Sequence, residues 1–173
     1  MTSPTREGLA KAVRSAVHLE LRDAYGASDP EFVRWQQGHR YAPEDRPDWF
    51  QGWADAVRDA VSRGVVVRRL RIVSEPVTDY IKYEHHVTYL NLAAGEQVRW
   101  LRRARIRSTP LPANDFWLFD GAFAVLNHFT GDGEIDHREA FDATAEPETV
   151  GFLHTAFDPL WELGTPHQEY EPK

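Results

Sequence analysis

A chain of 173 residues that is 42% hydrophobic, with Trp 6 and a formal charge of −7, is long enough for one domain with a real core and too apolar to be disordered. The acidic balance disfavours nonspecific binding to nucleic acid or anionic membrane, which requires a cationic footprint. The absence of cysteine removes disulfides, thiolate chemistry and sulfur-ligated zinc. No apolar leader-like stretch opens the sequence and no run approaches the roughly 18 apolar residues of a membrane helix, so a cytoplasmic protein that makes no membrane contact is expected.

Ser3-Pro4 followed by Glu7 predicts a helix start, with Leu9, Val13, Ala16 and Val17 following at helical spacing. From Val17 the period becomes two. Val17, Leu19 and Leu21 lie on one side and His18, Glu20 and Arg22 on the other, which predicts a half-buried strand whose polar face looks at solvent or at a partner. Asp29-Pro30-Glu31 starts a brief helix that Gly38 stops. After a polar loop at 39–46, Pro47-Asp48 opens a longer helix. Its Trp49, Phe50, Trp53, Val57, Ala60 and Val61 form an apolar stripe up to Gly64.

Residues 65–73 have the β-branched content of a central strand, with Val66, Leu70 and Ile72 on one face and Arg69 and Arg71 on the other. Ser74-Glu75-Pro76 closes it, and Thr78 caps one helix spanning 76–93 that Gly95 ends. A strand at 97–101 completes a βαβ-like unit with a parallel pair. The basic run at 102–112 contains two prolines and is expected to be an exposed loop. The stretch 114–133 organises the rest: two aromatic-rich strands flank an Asp120-Gly121 turn, and apolar residues on both parities predict a hairpin covered on both faces. An edge strand is expected within 134–141, and Pro147 opens a last helix with Val150, Leu153, Phe157, Leu160 and Trp161 on one stripe. Residues 1–4 and 165–173 are expected to be loose tails. The class is α/β: a single domain whose central mixed sheet is covered by helices.

Several segments together carry a resemblance: Leu19-Glu20-Leu21-Arg22, V-R-R-L-R-I-V-S-E-P-V-T-D-Y from Val67, Val98-Arg99-Trp100-Leu101, N-D-F-W-L-F-D from Asn114, and N-H-F at Asn127. On these the chain resembles an uncharacterised actinobacterial family, the domain of unknown function numbered 6879, over nearly its whole length. The resemblance implies company with helix-turn-helix regulators, although this chain shows no helix-turn-helix of its own. The order of elements is similar to one half of a phospholipase-D-like domain, a fold also used as a non-catalytic sensor module. The catalytic version needs a His nucleophile and a Lys two residues later; the residue two after His128 is Thr130, and no other His is followed at that spacing by Lys. The hydrolase or nuclease reading that this ancestry would imply is therefore the second choice, behind a non-enzymatic regulatory or protein-interaction module.

The candidate site residues are Ser74, Glu75, Tyr80, Asp115, Trp117, Asp120, Asn127 and His128. Ser74, Glu75 and Tyr80, with Asp79, sit where a parallel strand ends, the place where α/β sheets bind ligands; the plainer reading makes Ser74 or Thr78 a cap and Tyr80 a packed ring. Trp117, Tyr80 and His128 are expected to wall an aromatic pocket. Asp115 and Asp120 bracket the aromatic strand, where turn formation competes with acid-base work. Asn127, His128, Asp132, Asp136 and His137 could be read as a metal cluster, but their spacing matches no metal motif, and a hydrogen-bonded turn is preferred. His85 and His86 point in different directions on a helix and make a still poorer pair of ligands. No catalytic residue, metal or cofactor is expected. The expected partner is a helix-turn-helix regulator, with no direct nucleic-acid binding through the arginines at 102, 103, 105 and 107.

Overall fold

The computed structural model describes residues 3–26, 28–135 and 140–173. The chain runs α1 (Pro4–Lys11), β1 (Ser15–Glu20), α2 (Pro30–Gln36), α3 (Asp48–Ser62), β2 (Val66–Val73), α4 (Asp79–Val87), α5 (Tyr89–Ala94), β3 (Gln97–Arg102), β4 (Asp115–Phe119), β5 (Phe123–Asn127), β6 (Phe141–Thr144), α6 (Pro147–Leu163) and β7 (Thr165–Pro166). The strands form one mixed sheet in the order β6-β5-β4-β1-β2-β3-β7. β1, β2 and β3 are mutually parallel, and β4 joins β1 antiparallel. The α/β class and the helix-covered mixed sheet are as the sequence predicts. Among the described residues no helix is long and apolar enough to cross a membrane.

Two cores sandwich the sheet. Val17, Leu19, Leu70, Ile72, Phe116 and Leu118 face α6, which contributes Val150, Leu153, Phe157, Leu160 and Trp161. On the opposite face Ala16, Val67, Trp117, Phe119 and Val125 pack with Leu9 of α1 and with Ala54, Val57 and Ala60 of α3. The hairpin turn is at Asp120-Gly121, both residues left-handed (φ 53° and 66°), the backbone that a two-residue turn requires to match strand twist. Every residue of β4 is buried, so the hairpin's first strand is covered on both faces as predicted.

Five expectations need correction. The first helix ends at Lys11 rather than continuing through Val13, because β1 begins at Ser15 and Asp120 accepts from the backbone N–H of Val13, Arg14 and Ser15. β1 is not half-buried: His18 and Glu20 are as covered as Val17. The helix after Ser74-Glu75-Pro76 is two, broken at Thr88, whose hydroxyl donates back to the Glu84 carbonyl (2.6 Å) and accepts from Arg71 (2.7 Å). The edge strand lies at Phe141–Thr144, later than expected, while residues 136–139 fall outside the described residues. The segment 165–173 is anchored rather than loose: β7 pairs with β3, Tyr170 is buried, and the Lys173 carbonyl accepts from the Val77 N–H at 2.7 Å.

Candidate ligand site

The sheet face toward α3 and α4 carries charges where a core would ordinarily be apolar. Parallel register sets His18 beside Arg69 and Glu20 beside Arg71, and antiparallel register sets His18 beside Trp117. Because alternate residues share a face, these side chains rise from neighbouring strands into the same space. Each is less than a tenth exposed, a burial tolerated only where charges are paired and hydrogen-bonded.

The pairing is extensive. Arg69 donates Nε to Glu96 Oε2 at 2.8 Å and an Nη to Glu20. Arg71 donates Nε to the other Glu20 oxygen at 2.5 Å and Nη1 to Thr88 Oγ1, and its Nη2 lies 2.5 Å from Glu84. Glu96, immediately before β3, also accepts from Trp53 Nε1 (2.6 Å) and Asn91 Nδ2 (2.8 Å). His18 is held between the Phe116 carbonyl (2.8 Å) and Glu20 (3.1 Å), so both ring nitrogens face oxygens. Its ring stacks on Trp117 at 4.3 Å, and the Arg69 guanidinium lies 5.3 Å from the centre of the same indole.

Burial alone would push the Glu20 carboxyl up, but Arg71 and Arg69 hold it well below the usual carboxylate range. Glu96 is likewise kept low, against burial, by Arg69 and by its indole and amide donors. Glu84 differs. Burial pushes it up to about 7, because Arg71 opposes the shift only in part and the Glu20 charge adds to it. Its Oε2 is buried beside Arg71 as an ion-pair contact without hydrogen-bond alignment.

Above this floor opens a cavity of about 300 Å³. Trp49 and Phe50 from the first turn of α3, Trp53 one turn on, Tyr83 and Val87 of α4, and Trp117 of β4 form its walls, and Glu20, Arg69, Arg71, Glu84, Asn91 and Asp29 supply its polar groups. Trp49 is 44% exposed and marks the mouth. A few polar groups within aromatic walls are the usual make-up of a small-molecule site.

Of the residues singled out from the sequence, Trp117 lines this cavity. Tyr80 packs next to it in a ring cluster with Phe32 and Tyr83, and His128 is not among the lining residues. Ser74 and Asp115 meet around the end of β1 instead. Asp115 accepts from the Leu21 N–H (3.0 Å) and from Tyr25, while Arg103 donates to the Leu21 carbonyl and to Ser74 Oγ, which itself donates to Asp23. Burial raises the Asp115 carboxyl, against the Tyr25 bond. Glu75 accepts from Tyr170 (2.9 Å) and pairs with Arg102 (3.0 Å). Asp120 is 107 residues from Val13 in sequence yet caps the start of β1; its three backbone bonds lower its carboxyl against burial. Asn127 lies opposite Asp115 in the β4–β5 register, its Oδ1 buried without a hydrogen-bond donor. Asp136 and His137, which the metal reading needs, lie outside the described residues. The basic run is largely exposed, as expected, at residues 104, 105 and 107–110, although it begins in β3, where Arg102 pairs with Glu75, and Arg105 donates to the Leu163 carbonyl.

The chain is a single α/β domain whose fold is similar to that of phospholipase D family members. It superposes on a phospholipase D family member, Nuc from Salmonella typhimurium, with TM-score 0.52 and 13% identity over 94% of this chain and 87% of that one. NucT from Helicobacter pylori gives TM-score 0.51 and 12% identity over the same shares. No curated protein matches the sequence. The chain belongs to the family described as Domain of unknown function (DUF6879), whose model matches residues 5–172.

Proposed function

We propose that this domain is a non-enzymatic regulatory module that binds a small ligand in the aromatic-walled cavity and acts together with a helix-turn-helix transcriptional regulator. The observation that carries the reading is the completeness of the polar floor: Arg69 and Arg71 already direct donors to Glu96, Glu20 and Thr88. Such a floor fixes the shape of a cavity and presents no activated nucleophile to it. Phosphodiester cleavage has less support, because no His in the sequence is followed two residues later by Lys. DNA contact is assigned to the regulator, since Arg102, Arg103 and Arg105 are engaged by the chain itself and the net charge is −7.

The test is a thermal-shift screen of a metabolite panel with the purified chain and Trp49→Ala, which alters the mouth without disturbing a buried residue. A true ligand present at a hundred times its Kd stabilises by about 2.7 kcal/mol, a rise of roughly 5–11 °C at this chain length, and the rise should shrink in the variant. Turnover of bis(p-nitrophenyl) phosphate by the wild type, or a sequence-specific gel shift by the chain without a regulator, would overturn the proposal.

A further inference from the structure

Resting on the cavity reading above, we infer that the ligand is a small organic cation with a flat apolar body and N–H donors, of the amidine class, held by Glu84 and Asp29. The argument begins with how charge is distributed by depth. In the floor, Glu20 and Glu96 are each engaged by a guanidinium. Nearer α2 and α4, Glu84 shares Arg71 with Glu20, and the Asp29 carboxylate, as the cap of α2, accepts the Glu31 N–H at 2.8 Å and has no ion-pair partner among the described residues. Among the described residues no basic side chain besides Arg69 and Arg71 lines the cavity. The part of the cavity left to a ligand therefore has two carboxylates and a share of one arginine.

Two further observations point the same way. The rings deep in the cavity, Trp53 and Trp117, already face the Arg69 guanidinium, which leaves Trp49, Phe50 and Tyr83 to take a flat ligand near the mouth. Faces of this kind attract cations as well as apolar surface. Burial raises the Tyr83 hydroxyl, and the nearby Asp29, Glu84 and Glu31 carboxylates raise it further. A protonated amidine beside the Glu84 carboxylate, which lines the cavity and shares Arg71 with Glu20, would supply the missing positive charge in a single group.

The groups facing Glu84 are Glu20 of β1, Arg69 and Arg71 of β2, Asp29 before α2, and Tyr80 and Tyr83 on its own helix, with uncharged Asn91 from α5 and the rings of α3 completing the wall. With Glu84 titrating near 7, a proton competes with the cation. Between pH 8 and pH 5.5 affinity should fall about thirtyfold, following the loss of its ionised fraction.

The experiment measures binding of benzamidinium, benzamide and benzoate, three probes of one shape and different charge, by tryptophan fluorescence and calorimetry. Benzamidinium should bind the wild type and weaken at low pH. Glu84→Gln should weaken it at least tenfold and flatten the pH profile, and Asp29→Asn, which keeps a good helix cap, should weaken it several-fold. Trp49→Ala should reduce binding of whichever probe enters. If benzoate or benzamide binds as well as benzamidinium and Trp49→Ala reduces it, the cavity reading stands and the cation class is wrong. If none of the three binds, both fail.

Discussion

Replacing Arg69 by Met keeps the apolar stem and removes the guanidinium that joins Glu20 to Glu96. Both carboxylates are then buried with one counter-charge fewer, and Glu96, whose side chain is fully buried, keeps only its indole and amide donors. Removing one member of a buried pair typically costs about 3–5 kcal/mol, most of it the penalty of the charges left behind. For a chain of this length that is a fall of roughly 6–20 °C in Tm. Arg58→Met is the control, because its partner Asp55 and Arg58 itself are both largely exposed and such pairs contribute about 0.2–1 kcal/mol. The pH dependence separates charge from packing. In the wild type Glu20 and Glu96 are held below their usual range, so their contribution is present above the unfolded value of about 4.3 and is lost as pH falls through the folded values. In Arg69→Met the folded values rise, protonation relieves the buried charge, and the deficit should narrow between pH 7 and pH 5. Urea unfolding at both pH values reads this directly. A cost below about 1 kcal/mol, or a deficit equal at the two pH values, would refute the account of the sheet face as a charge-compensated floor.

His167 accepts from Trp100 Nε1 at 3.1 Å, and burial, with His85 and Arg71 nearby, lowers it to about 4. A depressed His contributes stability that is full above about 6.5 and is lost as pH falls toward the folded value. Acidification should therefore release the C-terminal segment and weaken the fold by roughly 1–2 kcal/mol after discounting for partial exposure, visible as a change in tryptophan emission that His167→Gln diminishes. Gly8→Ala should destabilise by about 1–3 kcal/mol despite better helix propensity, since the new Cβ would stand 2.4 Å from Phe119 Cε2; a raised urea midpoint would contradict it. Asp120→Ala removes the acceptor for three backbone N–H groups and places alanine at φ 53°, so a loss of about 1–3 kcal/mol is expected. Asp120→Asn, better suited to a left-handed backbone, should recover part of it in the same unfolding assay.

Much of the fold was legible because local and tertiary demands agree. Pro30, Pro147 and the Asp120-Gly121 turn fall where they have structural work to do, and the continuous apolar run of β4 could only belong to a strand covered on both faces. The helix from Thr78 misled for a physical reason. Thr88 sits at a helical position by pattern, but Arg71 reaches it from a strand 17 residues away, and a sequence window does not contain that contact. The anchored C-terminus was hidden in the same way, because Tyr170 looks like part of a polar tail until Trp100 stacks on its ring at 5.4 Å.

The site was present in the sequence as a parity that admitted two readings. His18 and Glu20 alternate with apolar neighbours, and Arg69 and Arg71 are separated by Leu70 and followed by Ile72; in a strand with one wet face that pattern means solvent. Here the two polar faces belong to adjacent parallel strands and to the same side of the sheet, so glutamate meets arginine across the ladder instead of water. The cue was that both strands carried the pattern with opposite charge, since two solvated faces need no complementarity and two buried ones cannot do without it. Glu84, Asn91 and Glu96 gave no such cue. Each is an ordinary polar residue of a helix or strand start, and only the packing of α4, α5 and α3 over the sheet brings them to the guanidinium groups. The cavity follows from that packing: long charged side chains on β2 hold the helices off the sheet where small apolar ones, such as Ala16 and Ala54 a few residues away, let them close.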